Sequence, residues 1–161
     1  MSTITISNSH AKIHSGECFS AYVGDSLSSN GYVEIALKPS ATVAPHIVFL
    51  CRSQDVATLT ITEDITLTSG GVDFTPVAQN RNSPTTHNLQ GIKTGKPSGT
   101  PIVHTGGTLI WSETMTVGGH TGAPATSYDH ELILKVNVWT VLRLTSSAGS
   151  NPCWMAVHWY T

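Results

Sequence analysis

The chain has 161 residues, of which only 11% are charged, and its formal net charge at pH 7 is -2. Lys and Arg are scattered rather than clustered, which argues against nucleic acid as a partner, and no apolar run is long enough to cross a membrane as a helix. A chain of this length is expected to form one domain that buries roughly 70% of its unfolded surface.

The N-terminal segment alternates apolar and polar residues. Ile4 and Ile6 stand between threonine and serine residues. This alternation predicts a strand or an arm over residues 1–12, ahead of a domain that spans residues 13–161. No signal peptide is expected, because the segment has neither a basic start nor an apolar core.

Three cysteines, Cys18, Cys51 and Cys153, are widely spaced, and each lies within a strand-like pattern. Their odd number and their apolar surroundings predict reduced, buried thiols. Such thiols are typical of a protein that folds in a reducing cytoplasm.

Between residues 17 and 79, apolar residues recur at every second position, as they do in strands with one buried face. One of these segments, Gly31–Lys38, puts three apolar side chains on one face and Glu34 on the other. Another, Pro45–Cys51, is more continuously apolar and is predicted to be buried on both faces. The predicted strands are Glu17–Val23, Gly31–Lys38, Pro45–Cys51, Val56–Thr62, Ile65–Thr68 and Phe74–Gln79.

The segment Asn80–Gly107 is the least regular part of the sequence, since prolines and glycines interrupt it repeatedly. It is predicted to be a long loop that carries one or two short strands. Loops of this length within a compact domain are usually functional or held by a neighbouring subunit. Together with the weakly charged surface, this loop predicts a homo-oligomer.

The last part of the chain returns to strand-like alternation. A strand is predicted over Thr108–Val117 and an exposed loop, rich in Gly, Ala and Pro, over Gly118–Thr126, and Asn137 is expected to supply a turn. Trp154 and Trp159 are predicted to fill the core. The last three predicted strands are Asp129–Val136, Trp139–Thr145 and Cys153–Tyr160.

No segment of ten residues combines a helical period with helix formers and caps. The sequence therefore predicts an all-β, single-domain antiparallel β-sandwich or closed barrel of about nine or ten strands, with no substantial helix. No internal repeat with a fixed period is present.

Two patterns suggest chemistry, but each lacks a required part. Gly24–Ser28 matches the nucleophile block of the GDSL esterases, whose histidine follows an aspartate by three residues, and no Asp here has that partner. The eight histidines do not show zinc-type spacing; His10 and His14 are four apart, but their region is predicted not to be helical. No catalytic residue, metal ligand or cofactor is predicted, and the chain is not expected to be an enzyme.

Several segments, weak alone but ordered along the chain, carry a family resemblance. They are Ile13–Glu17, Ala78–Ser83, Asp129–Lys135 after a Gly-rich loop, Val141–Thr145 and a closing strand that ends on Trp159 and Tyr160. In this order they make the chain resemble the small all-β head decoration (cement) proteins and related minor virion proteins of tailed bacteriophages. Related proteins often have Lys-Pro-Asn where this chain has Lys135-Val136-Asn137.

The resemblance implies a jelly-roll or related sandwich that is usually trimeric and has no catalytic activity. Its partners would be further copies of itself and the major capsid protein of a phage head, with no nucleic acid and no membrane. Its location would be the head surface of the virion, after synthesis in the host cytoplasm. The candidate oligomer or shell contacts are Ile4, Ile6, Asn80, Arg81 and Asn82, and Arg81 is predicted to order its loop through a guanidinium that binds several carbonyls or a carboxylate at once.

Two other classes of protein stay open at this point. A glycan- or receptor-binding module of a tail or head fibre would be favoured if Trp111 or Tyr128 were exposed in a groove. An enzyme would be favoured if a catalytic triad or a pair of carboxylates converged in a cleft.

Overall fold

The computed structural model describes residues 8–82, 85–115 and 131–161. Within these ranges the chain forms one short helix and twelve strands, and the predicted all-β sandwich of two antiparallel sheets is confirmed. The helix α1 spans Asn8–His14. The strands are β1 (Cys18–Leu27), β2 (Tyr32–Pro39), β3 (His46–Ser53), β4 (Ala57–Gly70), β5 (Val72–Asp73), β6 (Val77–Ala78), β7 (Leu89–Gly95), β8 (Ile102–Thr105), β9 (Thr108–Met115), β10 (Leu132–Ile133), β11 (Trp139–Ser146) and β12 (Asn151–Tyr160).

The strand order places neighbours in the sheet far apart in the sequence. The first sheet has the order β10-β3-β12-β1-β6, and the second has the order β5-β7-β2-β11-β4. The strands β8 and β9 both pair with β4 on its outer side, β9 with its first half and β8 with its second half. Between β8 and β9, Gly106 and Gly107 both have positive φ, a conformation that glycine adopts without steric cost.

The core lies between the two sheets and follows the alternation of the strands. In β2 the predicted face of Val33, Ile35 and Leu37 is fully buried, and in β11 Leu142 and Leu144 lie on the same side. Alternate residues of β1, β3 and β12 enclose this core from the first sheet. The three cysteines are buried and free of disulfides, as predicted.

A third layer covers part of the outer face of the second sheet. The second half of β4 pairs with β8, and the chain then reaches the opposite edge of the sheet, where β5 pairs with β7. Beneath this two-stranded ribbon (Thr66–Gly70 with Ile102–Thr105), a second apolar cluster of Ala36, Ile65, Ile102 and Val141 is buried. For this reason Glu34, which the sequence places on the face opposite the core, has no exposed surface.

Several local predictions are wrong in detail. The region of His10 and His14 is helical, since α1 occupies residues 8–14, and the residues 8–12 are therefore not a strand; Ile4 and Ile6 lie outside the described residues. Within the described part of Asp129–Val136, only Leu132–Ile133 form a strand. A strand of two residues still serves to pair with the edge of β3.

Burial also departs from prediction at two strands. In β3, buried residues alternate with partly exposed ones, so this strand is covered on one face rather than two. In β12, Trp159 is in the core as predicted, whereas Trp154 is partly exposed and lies on the opposite face. The predicted loop Gly118–Thr126 lies outside the described residues.

Candidate functional site

The predicted contact residues Asn80, Arg81 and Asn82 lie in the turn after β6, against the C-terminal end of α1. The Asn80 amide Nδ2 donates a hydrogen bond to the carbonyl of His14 (2.9 Å), and the Asn82 backbone N–H donates to Asn80 Oδ1 (3.1 Å). An asparagine that bonds the backbone two residues further on stabilises a tight turn. Asn80 therefore both shapes the turn and fastens it to the helix.

The loop is also tied to the junction between α1 and β1 on either side of this turn. The Gln79 backbone N–H donates to the Cys18 carbonyl (2.9 Å), and the backbone N–H and hydroxyl of Thr85 donate to the Gly16 carbonyl (3.2 and 2.9 Å). Two segments of the family resemblance, Ile13–Glu17 and the described part of Ala78–Ser83, thus form one surface although about 65 residues separate them.

The helix side of this surface is fixed by its own polar contacts. Gly16 ends the helix with a positive φ of 80°, as glycine commonly does at this position. Lys12 Nζ and the Ser15 hydroxyl both bind Glu17 Oε2, at 2.7 and 3.0 Å. The hydrogen bonds from Lys12 and Ser15 lower the pKa of Glu17.

Between these two segments lies a surface groove of about 520 Å³, which we call the Arg81 groove. It is lined by Ile13, His14, Gln79, Asn80, Arg81 and Asn82. The Gln79 amide is held by a hydrogen bond of 2.8 Å to His158 Nδ1, and burial lowers the pKa of His158. The Arg81 groove is lined by amides, an imidazole and a guanidinium, which fit polar or anionic groups of a partner.

Among the described residues, Arg81 does not order the loop. Its side chain is exposed, and its guanidinium makes no hydrogen bond or ion pair with any other residue in ranges 8–82, 85–115 and 131–161. The predicted bonds from Arg81 to several carbonyls or a carboxylate are not found among the described residues, where Asn80 fastens the turn to α1 instead. A guanidinium in this setting can still form a bidentate contact with a carboxylate of another molecule.

A second charged cluster, which sequence reasoning missed, lies beneath the ribbon. Glu34 and Arg143 are direct cross-strand partners on β2 and β11, and Nε and Nη2 of Arg143 both lie 2.7 Å from Glu34 Oε1. The Ile102 N–H donates to Glu34 Oε2 (3.3 Å), and the Tyr32 ring lies 4.4 Å from the guanidinium carbon. Burial raises the pKa of Glu34, while the charge and hydrogen bonds of Arg143 oppose that shift.

His104 on β8 completes this cluster, which we call the Glu34–Arg143–His104 cluster. Arg143 Nη2 lies 3.1 Å from His104 Nε2 and can donate to it only when that nitrogen is unprotonated. Burial, and then the charge of Arg143, lower the pKa of His104. The arrangement fastens the ribbon to the sheet and holds the imidazole neutral.

A third polar group joins the end of β12 to β10. His46 Nδ1 lies 2.6 Å from Glu131 Oε1, the Tyr160 hydroxyl donates to the same oxygen, and the rings of His46 and Tyr160 stack with centroids 5.2 Å apart. The sequence shows no partner for His46, because nothing in it indicates that β3, β10 and β12 are neighbours.

Two further sets of residues bear on the alternative classes of protein, an enzyme and a glycan-binding module. Asp25 accepts a hydrogen bond from the Ser98 hydroxyl, which lowers its pKa, and Ser26 uses its backbone N–H to bind Asp25. Trp111 packs edge to face on Phe49 against the core, with centroids 6.1 Å apart, and Tyr128 lies outside the described residues.

Burial raises the pKa of Cys18 to about 11 and that of Cys51 to about 12, so both thiols are protonated at neutral pH.

Comparisons with protein-family models, with curated proteins and with solved structures gave no match. Within the described ranges, no group of three or more His, Cys, Asp and Glu side chains is placed to hold a metal ion. The helix in these ranges is too short to cross a membrane. Any function assigned to the chain therefore depends on its own residues.

Proposed function

We propose that the chain is a structural virion protein of a tailed bacteriophage that decorates the outer surface of the head shell. It acts as a homo-oligomer, most simply a trimer, and its partner is the major capsid protein. It stabilises the shell by binding to it and has no catalytic role.

The observation that carries this proposal is the convergence of two of the resembling segments on the Arg81 groove. The turn is fixed to α1 by Asn80, and the groove presents an exposed guanidinium with no partner in the described part of the chain. Because the backbone of the turn is already fixed, association has to order only the Arg81 side chain, which limits the entropy that is lost. The groove thus supplies an attachment point for a neighbouring protein.

The strand order supports a jelly roll, the finer fold that the resemblance implies. The major strands pair in a nested way: β1 with β12, β2 with β11, β3 with β10, and β4 with β9. The members of the first and third pairs lie in one sheet, and those of the second and fourth pairs lie in the other. Nested pairs of this kind are what two Greek keys of eight strands produce.

The edge of the second sheet supports assembly through apolar contact. Leu109 and Ile110, on β9, are 59% and 42% exposed at the outer side of β4. With only 11% of residues charged, the surface offers little for attachment by charge alone. A contact of standard size, roughly 800 Å² per partner, can combine such side chains with Thr, Ser and Gly loops.

Imaging of virions with and without the protein tests this proposal. Density on the head surface that is present only with the protein, together with a solution mass of about three times 17.1 kDa by light scattering, is the expected result. A monomeric mass, or virions whose heads are identical in both samples, would contradict it.

A deletion tests the proposed role of the N-terminal arm. Removing Met1–Ser7 leaves all of α1 in place. If Ile4 and Ile6 add a strand to the edge of a neighbouring sheet, the deletion abolishes shell occupancy while the isolated oligomer stays folded.

Raising the salt from about 0.1 M to 1 M, which shortens the screening length from ~10 Å to ~3 Å, should leave occupancy nearly unchanged. Loss of the protein on salt addition alone would show that charge, not area, holds it.

A further inference from the structure

A second groove, of about 320 Å³, lies between the two sheets on the side where β1 faces β5 and β7. It is lined by Tyr22, Gly24, Val72, Thr94, Lys96 and Thr100, together with neighbouring backbone. None of these residues belongs to the Arg81 groove. We call this second site the Tyr22 groove.

Tyr22 supplies a fixed aromatic surface in this groove. Its side chain is 54% exposed, and Phe74 contacts it edge to face with ring centroids 5.4 Å apart. Phe74 in turn packs against the main core. On the facing wall Val72 is 56% exposed, so the groove offers two apolar surfaces to a ligand.

The backbone of β1 supplies hydrogen-bonding groups in the same place. The Cys18 carbonyl accepts a hydrogen bond from Gln79 on the side of β1 where β6 lies. Because alternate residues of an antiparallel strand direct their N–H and C=O to the same edge, Tyr22 and Gly24 direct theirs to this side as well. β6 pairs only with Phe19 and Ser20, and within the described ranges no strand continues this pairing.

Both ends of the groove are closed along the strand direction. At one end the Ser98 hydroxyl donates to Asp25, and at the other β6 is paired with Ser20. An extended peptide therefore cannot run through the groove as an added strand. The space suits a compact ring, and the polar residues Thr94, Thr100 and Lys96 are among those that line it.

We propose that the Tyr22 groove binds a single neutral pyranose sugar. The ring presents its C–H face to Tyr22, and its hydroxyls bond to the backbone groups that Tyr22 and Gly24 direct to this side of β1 and to the polar side chains of the groove. A site that combines one aromatic surface with a few convergent polar groups is typical of small-ligand recognition. This binding is independent of attachment to a shell.

Saturation-transfer NMR tests the proposal with four probes, the methyl glycosides of glucose, galactose, mannose and N-acetylglucosamine. Each is used at about 10 mM, since a ligand of this size is expected to bind with a Kd of roughly 1 mM. At least one probe should receive saturation from the protein. Failure of all four would overturn the proposal, and so would binding of a capped tetrapeptide in place of the sugars.

Two variants locate the binding. Tyr22→Ala removes the aromatic surface and should weaken binding at least about tenfold, and Val72→Arg should abolish it by filling the groove from an exposed position. Ile133→Ala, which removes an exposed apolar side chain from β10 at the opposite edge of the first sheet, is the matched control and should bind as the unaltered protein does. Unchanged binding by Val72→Arg with an unchanged melting temperature would place the sugar elsewhere and overturn the proposal.

Discussion

Two arginines of this protein stand in opposite settings. Arg143 binds Glu34 twice, donates to His104 and lies over the Tyr32 ring, all beneath the ribbon. Arg81 lies in a turn that is held by Asn80, and its own guanidinium has no partner within the described ranges. A guanidinium whose hydrogen bonds are satisfied within the fold contributes to stability, whereas one that is exposed on a fixed turn is available to another molecule. The comparison separates residues that hold the sandwich together from residues that can attach it to something else.

Breaking the Glu34–Arg143–His104 cluster should have the largest effect. Glu34→Ala leaves a partly buried guanidinium and the Ile102 N–H without their acceptor, and it should lower the free energy of unfolding by about 3–5 kcal/mol. Denaturant unfolding measures this loss. Replacing both Glu34 and Arg143 with leucine should cost less than Glu34→Ala alone, since no charge is then left unpaired. A loss no larger than that of the exposed control Glu113→Ala would show that the pair contributes nothing.

Acid should destabilise the fold through three partly buried histidines. Burial lowers the pKa of His87, His104 and His158 below the usual value of 6.5. The unfolded chain therefore binds more protons than the folded one as the pH falls below about 6.5. The stability that these neutral histidines contribute is fully present above that pH. It is lost as the pH falls through their lowered pKa values in the folded state.

Part of this pH dependence should come from the Glu34–Arg143–His104 cluster. Protonation of His104 at Nε2 removes the hydrogen bond from Arg143 and brings a second cation against it, although Glu34 Oε1 lies 3.8 Å away. His104→Gln should reduce the slope of stability against pH between about 6.5 and 5 by no more than one proton. Urea unfolding at a series of pH values measures the slope. Identical slopes for His104→Gln and the unaltered protein would exclude His104 as a contributor.

What the sequence predicts well is the part of the fold that depends on local alternation. The face of Val33, Ile35 and Leu37 follows from their spacing alone, as does a strand over residues 139–145. The register between β2 and β11 does not, because Glu34 and Arg143 are 109 positions apart, and only the pairing of these strands puts them opposite each other. Nothing in the sequence indicates that the ribbon covers this face of the sheet. Alternation alone therefore places Glu34 on a solvent-facing side of its strand.

The sequence singled out the segment of the candidate site, whose role as a contact stays a prediction, but it did not indicate how that segment is held. The segment Asn80–Asn82 stands out by its composition, and it does line a groove. The residue that fastens the turn is Asn80, since its amide reaches the carbonyl of His14, and nothing in the sequence indicates that α1 lies there. A helix of seven residues is too short to show a helical period, and its stability comes from what it packs against.

Asn80→Ala should have a moderate effect. It removes the hydrogen bond to α1 and the acceptor of the Asn82 N–H, and a loss of about 1 kcal/mol in the free energy of unfolding is expected. Hydrogen exchange of the residues 79–82 should quicken more than that of the core strands. Asn82→Ala is the matched control, because Asn82 contributes its backbone N–H to the turn. Equal effects of the two variants would contradict the role assigned to Asn80.

Arg81→Ala should have the smallest effect on folding and the clearest effect on assembly. Since the side chain is exposed and has no partner in the described part of the chain, the free energy of unfolding should change by no more than about 0.5 kcal/mol. If the groove is the proposed attachment point, oligomer formation or shell occupancy should fall, because the variant removes the guanidinium that is proposed to contact the partner. Arg81→Lys sharpens the test: it keeps the charge but loses the planar fork, so it should restore little if the contact is bidentate and nearly all if only charge matters. If both variants assemble and occupy the shell as the unaltered protein does, Arg81 is an ordinary surface residue and the groove is not the attachment point.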